Sequence, residues 1–168
     1  MRRFLPALAI FGALAAQPAL AQKHCAAPAD QAAFEVQALR SHLMVLATGC
    51  SESDRYNAFV RRYQADLVAN DQAVTGWFKR RYGGRGQAEH DRFITDLANA
   101  VSNGHSVLGG DVCPRDGLMF AEVLTLRGSG DLPHYAAAKD LVPASVEICA
   151  GQPAGGAKPA VKASTKKR

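Results

Sequence analysis

Four cysteines, Cys25, Cys50, Cys113 and Cys149, constrain this 168-residue chain more than any other feature. They follow a stretch with the form of an export leader, and in an oxidising compartment an even number of cysteines pairs by default. Four cysteines allow three connectivities. The nested one, Cys50–Cys113 inside Cys25–Cys149, is favoured because its outer bridge ties the two ends of the fold together. Loops of this length each contribute roughly 4 kcal/mol in a chain-entropy account, less any strain. The competing use of cysteine is a zinc site. Beyond His24 beside Cys25, no CxxC or paired Cys/His spacing exists, so no metal is expected, nor any other cofactor.

The leader is read from its own pattern. Arg2 and Arg3 supply a positive start, residues 4–16 an apolar run, and Ala19-Leu20-Ala21 a small-x-small cleavage site. Gln22-Lys23-His24 separates that site from Cys25, so there is no lipid-anchor cysteine. No later segment approaches the 18 or so apolar residues of a membrane span. The expectation is a signal peptide over residues 1–21 and a periplasmic or secreted product without a transmembrane segment.

The formal charge of +5 belongs to the ends of the chain. Arg2 and Arg3 lie in the leader, and Lys158, Lys162, Lys166, Lys167 and Arg168 lie in the last eleven residues. Between them the body is nearly neutral. Residues 151–168 are Ala/Gly/Pro/Lys-rich with Val161 as their one large hydrophobe, too little to offset ordering entropy, so a disordered basic tail is expected. In an exported protein its partners would be anionic envelope polymers or lipid headgroups. Nucleic acid is not expected.

Residues 22–150 read as a single all-α domain of five to six helices with two disulfides. Val36, Leu39, Leu43, Leu46 and Cys50 recur at spacings of three and four, giving a first helix over residues 30–47 with Asp30 as its cap. Gly49 is expected to close it in the left-handed conformation, and Ser51 with Asp54 to form the capping box of the next. That second helix is expected over residues 52–69, with Tyr56, Phe59, Val60, Tyr63 and Leu67 inward, and Asp71 caps a third that ends at Tyr82. Gly83-Gly84-Arg85-Gly86 reads as a flexible turn before a fourth helix over residues 87–103. Pro114 opens a fifth and Asp131 caps a short sixth. Few β-branched alternations occur, so strands are expected to be absent.

No assembled chemistry emerges. There is no GxSxG elbow or SxxK motif. Glu89-His90-Asp91 is the densest titratable cluster, but neighbours on a helix diverge, so it reads as a solvated face. The glycine loop lacks phosphate-cradling spacing, although Arg80, Arg81 and Arg85 beside it can hold an anion weakly. Glu35 and Glu52 read as helix-start dipole partners. Tyr56, Phe59, Tyr63, Trp77, Phe78 and Tyr82 stand at helical spacing and read as core rather than a ligand groove.

The segments Leu43-Met44-Val45, Cys50, Tyr56-Asn57-Ala58-Phe59-Val60-Arg61-Arg62-Tyr63, Thr95-Asp96-Leu97-Ala98-Asn99 and Cys113 are similar to a family of small exported bacterial four-cysteine helical proteins of no established function. The resemblance covers roughly residues 25–125. It implies a two-disulfide helical fold and no substrate, cofactor or catalytic residue. Two functions are carried forward. One is a noncatalytic binding, chaperone-like or envelope-associated accessory factor. The other is a small cell-envelope hydrolase or lyase whose site is gathered from different helices. A concave site joining two carboxylates, or a carboxylate with His90 or His105, would favour the second.

Overall fold

The computed structural model describes residues 25–107, 112–143, Val146 and Cys149, the side chains of residues 105–107 excepted. The expected leader and basic tail lie outside these residues. Among the described residues the chain is helical and free of strands apart from an isolated bridge at Ala26, whose carbonyl accepts from the Cys149 N–H at 3.1 Å. Both disulfides have the nested pairing. Cys25–Cys149 spans 124 positions and Cys50–Cys113 spans 63, with Cα separations of 4.9 and 5.5 Å.

The fold is built around α1, Pro28–Gly49. Its apolar stripe is the expected one, but burial extends nearly all the way round. Phe34, Ala38 and the polar Glu35, Gln37, Ser41 and His42 are buried alongside Val36, Leu39, Leu43 and Leu46. A helix enclosed on so many sides is a central strut. The others surround it: α2, Ser53–Arg62; α3, Gln64–Tyr82; α4, Gly86–Val107; α5, Val112–Asp116; α6, Leu118–Thr125; and α7, Leu132–Ala138. Since α2 runs almost directly into α3 and α5 into α6, these segments amount to five rods.

Two apolar clusters divide α1 between them. Leu39, Leu43 and Leu46 pack with Phe59, Tyr63, Phe120, Val123, Leu132 and Ala136. Phe34 and Ala38 pack with Val74, Trp77, Phe78, Phe93 and Leu97. Phe34 is the hub of the second, meeting Trp77, Phe78 and Phe93 edge to face at centroid separations of 5.0–6.0 Å, a favoured geometry of ring quadrupoles. The aromatic set read as core is core, with Tyr56 and Tyr82 half-buried at its margin.

Several expected boundaries move. The break between the second and third helices falls at Tyr63, not at Asn70–Asp71. At φ −110° and ψ 20° Tyr63 leaves helical geometry, and its buried hydroxyl donates to the Val123 carbonyl at 2.7 Å while Arg62 bonds the Leu126 carbonyl. That long-range anchor outweighs the local cap signal of Asp71, which sits within α3. Gly49 remains helical. The left-handed residue is Ser51, at φ 59°, and the Glu52 N–H closes back on the Ala47 carbonyl at 3.0 Å. This is the six-to-one bond of a Schellman ending, so Ser51 is spent on closing α1 and forms no capping box for α2. α1 begins at Pro28, placing Asp30 in its first turn rather than at its cap. Glu35 is a buried mid-helix residue, not a dipole partner. The fifth helix is split at Gly117. The glycine loop is a tight 3-10 turn, Gly83–Arg85. Gly83 has φ 55°, and a Cβ on Gly86 would come within 2.8 Å of the Lys79 Cα.

Candidate functional site

Where α3 and α4 close over α1, one face of α1 is polar. Gln37, Arg40, Ser41 and Met44 stand at i, i+3, i+4 and i+7, a single stripe, and form one wall of a groove of about 390 Å³. Asp71 of α3 and His90, Asp91 and Ile94 of α4 complete it. The size falls in the range of small-molecule sites.

Its polar groups are tied together loosely. The Asn70 amide donates to Gln37 Oε1 at 3.5 Å, and Arg40 stands 3.9 Å from Asp71, beyond hydrogen-bond reach. The Gln87 amide donates to Asp91 Oδ1 at 2.8 Å, and His90 Nδ1 lies 3.4 Å from the same oxygen. A carboxylate only accepts, so in that contact His90 Nδ1 is the donor. Phe78 meets the His90 ring edge-on at 5.6 Å and fixes its plane. Two atoms of residues lining the groove, Ser41 Oγ and His90 Nε2, are buried without a hydrogen-bond partner. Ser41 is only 4% exposed. Such groups cost about 1–3 kcal/mol each when left unsatisfied.

Glu89-His90-Asp91 thus splits in a way that a solvated face does not describe. The Asp91 side chain is 64% exposed, but that of His90 is only 13% exposed. Glu89 turns away, pairs with Arg92 at 3.2 Å and borders a smaller aromatic groove with Trp77 and Phe93. His90 and Asp91 share the α1 groove, because four-residue periodicity directs positions 90, 91 and 94 toward one neighbour.

A second cluster lies on another face of α1, at the same level along the helix. His42 Nε2 is 3.5 Å from Asp116 Oδ2, and both side chains are largely buried. Arg115 holds the same carboxylate through Nε at 2.7 Å and through its terminal nitrogen at 3.2 Å. Spaces of about 250 Å³ border the pair on either side. Asp140, with φ 51°, lines one, and Glu122 and Lys139 line the other. Lys139 and the Tyr135 hydroxyl, each at 2.7 Å, hold the Glu122 carboxyl below its ordinary pKa, the lysine contributing most. Burial, then the bond to Glu122, pushes the Tyr135 hydroxyl far upward. Glu35 is also raised, mainly by burial and further by the charge of Asp140.

The arginines of the anion reading differ in their surroundings. Arg80 pairs with Asp30 at 3.3 Å, Arg81 is half-buried in the last turn of α3, and Arg85 is exposed in the 3-10 turn. Lys158, Lys162, Lys166, Lys167 and Arg168 lie outside the described residues. Among the described residues no group of three or more His, Cys, Asp or Glu side chains is placed to hold a metal, and no helix is long and apolar enough to cross a membrane.

Sequence reasoning weighed His90 but missed Ser41, Gln37 and Asp71, and it missed the His42–Asp116 pair altogether. The polar stripe of α1 was visible at helical spacing, yet a polar stripe ordinarily means solvent. His42 and Asp116 are 74 positions apart, and only the Cys50–Cys113 bridge in the sequence hints that α5 returns to α1. No known protein family, curated protein or solved structure matches the chain significantly. The resemblance of residues 25–125 therefore stands on those quoted residues alone.

Proposed function

We propose that this chain is a noncatalytic exported, periplasmic helical protein, a binding or envelope-associated accessory factor whose ligand seat is the groove between α1, α3 and α4. The observation that carries this reading is the pair of buried, unpartnered atoms on residues lining that groove, Ser41 Oγ and His90 Nε2. A ligand supplying the missing partners recovers the cost of leaving them bare. The basic tail supplies the envelope contact: Lys158, Lys162, Lys166, Lys167 and Arg168 add up to about 1 kcal/mol each near an anionic surface, lost as salt rises.

A second reading, a small cell-envelope hydrolase or lyase, draws on two observations. Asp71, Asp91 and His90 do meet in one groove, and His42 and Asp116 pair across α1 and α5 beside open space. In that reading His42 is the general base and Asp116 orients its ring.

Purified sacculi separate the two readings. The disulfide-bonded protein should sediment with them at low salt and release no soluble fragments. The protein lacking residues 151–168 should sediment less. Fragment release that disappears in His42→Gln or His90→Gln establishes the hydrolase or lyase reading instead. Equal sedimentation of full-length and truncated protein removes the tail from the account.

A further inference from the structure

The groove's donor and acceptor inventory specifies a ligand chemistry. Resting on the reading of this groove as a ligand seat, we infer that it takes a primary ammonium carried on an aliphatic chain.

Carboxylates outnumber cations among the described residues lining the groove. Asp71 and Asp91 face the same space from α3 and α4, and their side chains are 51% and 64% exposed. The Arg40–Asp71 separation of 3.9 Å exceeds a hydrogen bond, and both Asp91 contacts fall on Oδ1. Among the described residues each carboxylate therefore keeps acceptor capacity. Ser41 Oγ, buried without a partner on the α1 wall, accepts or donates after rotation about one bond. Among the described residues, Arg40 is the one cationic side chain lining the groove. An anion would meet two carboxylates against one arginine. A neutral hydroxyl would leave two carboxylates sharing one arginine. An ammonium brings three N–H donors and no acceptor, and its positive charge complements the excess of negative charge.

The rest of the lining suits the carbon chain. Met44 is unusually exposed for its type, at 44%, and lies with Ile94 on the groove wall. An unbranched thioether adapts to an alkyl stem at little cost. The fit is to a group with a charged head and an apolar stem, the build of an alkylamine or a lysine side chain.

The test uses the full disulfide-bonded chain and pentylamine, with hexanoate and pentanol as probes of similar length but different charge. Amide and side-chain NMR signals of Ser41, His90, Asp91 and Ile94 should shift saturably with pentylamine alone. Asp91→Asn and Asp71→Asn should each weaken that binding about tenfold, the effect of one charge-assisted hydrogen bond. Arg40→Gln should tighten it several-fold by removing the competing cation. All three positions are solvent-accessible, so the thermal midpoint should change little. Nα-acetyl-lysine methylamide in place of pentylamine distinguishes a lysyl from a free-amine source. Tighter binding by protein lacking residues 151–168 identifies the chain's own lysines as occupants. Hexanoate or pentanol binding as well as the amine overturns the ammonium assignment but leaves the ligand seat standing. So does an Asp91→Asn variant of unchanged affinity. If no probe moves any groove signal, the seat falls as well.

Discussion

Ser51 holds a left-handed φ of 59° to end α1, a conformation that costs a residue with a Cβ about 1–2 kcal/mol. Ser51→Gly should therefore stabilise the protein by about 0.5–1 kcal/mol, read as a higher thermal midpoint; no gain would mean that the serine hydroxyl compensates. Glu35 presents the opposite problem, a carboxyl buried in mid-helix with Oε2 unpartnered. Its pKa is raised, so the fold holds this proton more tightly than the unfolded chain does. The stability linked to it is full below the ordinary carboxylate range and is lost as pH rises through the raised value. Glu35→Gln should melt higher than the parent at pH 7, with the gap closing toward pH 4. A gap independent of pH would show that packing, not ionisation, is responsible. Neither feature was legible in the sequence. Gly49 carried the stronger local signal for a helix end, and the glutamate's burial depends on helices that arrive a hundred residues later.

Tyr63 divides what the sequence presents as one amphipathic helix. Apolar spacing across residues 56–67 is continuous, so periodicity locates the inward face correctly and says nothing of the break. The bend comes from a hydroxyl that finds the Val123 carbonyl at 2.7 Å, with Arg62 supporting it at 3.1 Å. This lets α2 lean on α6 while α3 turns to α1 and α4. Tyr63→Phe leaves a buried carbonyl lone pair unmet and should cost about 1–2 kcal/mol in denaturant unfolding, with α2 amides exchanging faster than those of α3. Uniform exchange across both helices would refute the hinge. The groove obeys the same logic at this scale. Its α4 wall was partly readable because His90 and Ile94 are one turn apart. The α1 wall was not, because Gln37, Arg40 and Ser41 look like any exposed stripe until α3 and α4 cover them.

Across the whole molecule, the disulfide pattern is the most legible part of the fold, since cysteine number and placement left only three choices. Each bridge should contribute several kcal/mol, roughly 4–5 in the chain-entropy account, with the 124-position loop slightly ahead of the 63-position one. Paired Cys→Ser variants of either bridge should therefore melt well below the parent, and a variant pair that melts unchanged would refute a structural role for that bridge. Thiol titration of the denatured, unreduced chain should find none free among the described cysteines. The central helix bears on how this pattern is reached. Cys25 and Cys50 are consecutive cysteines in the sequence, and consecutive thiols are the readiest to couple wrongly. Between them stands α1, 22 residues long and thus about 33 Å from end to end. Once wound, it is a ruler that holds its two flanking sulfurs out of each other's reach. Proofreading of the covalent pattern thereby falls to α1, and oxidation started in denaturant, where that ruler is slack, should trap the Cys25–Cys50 error.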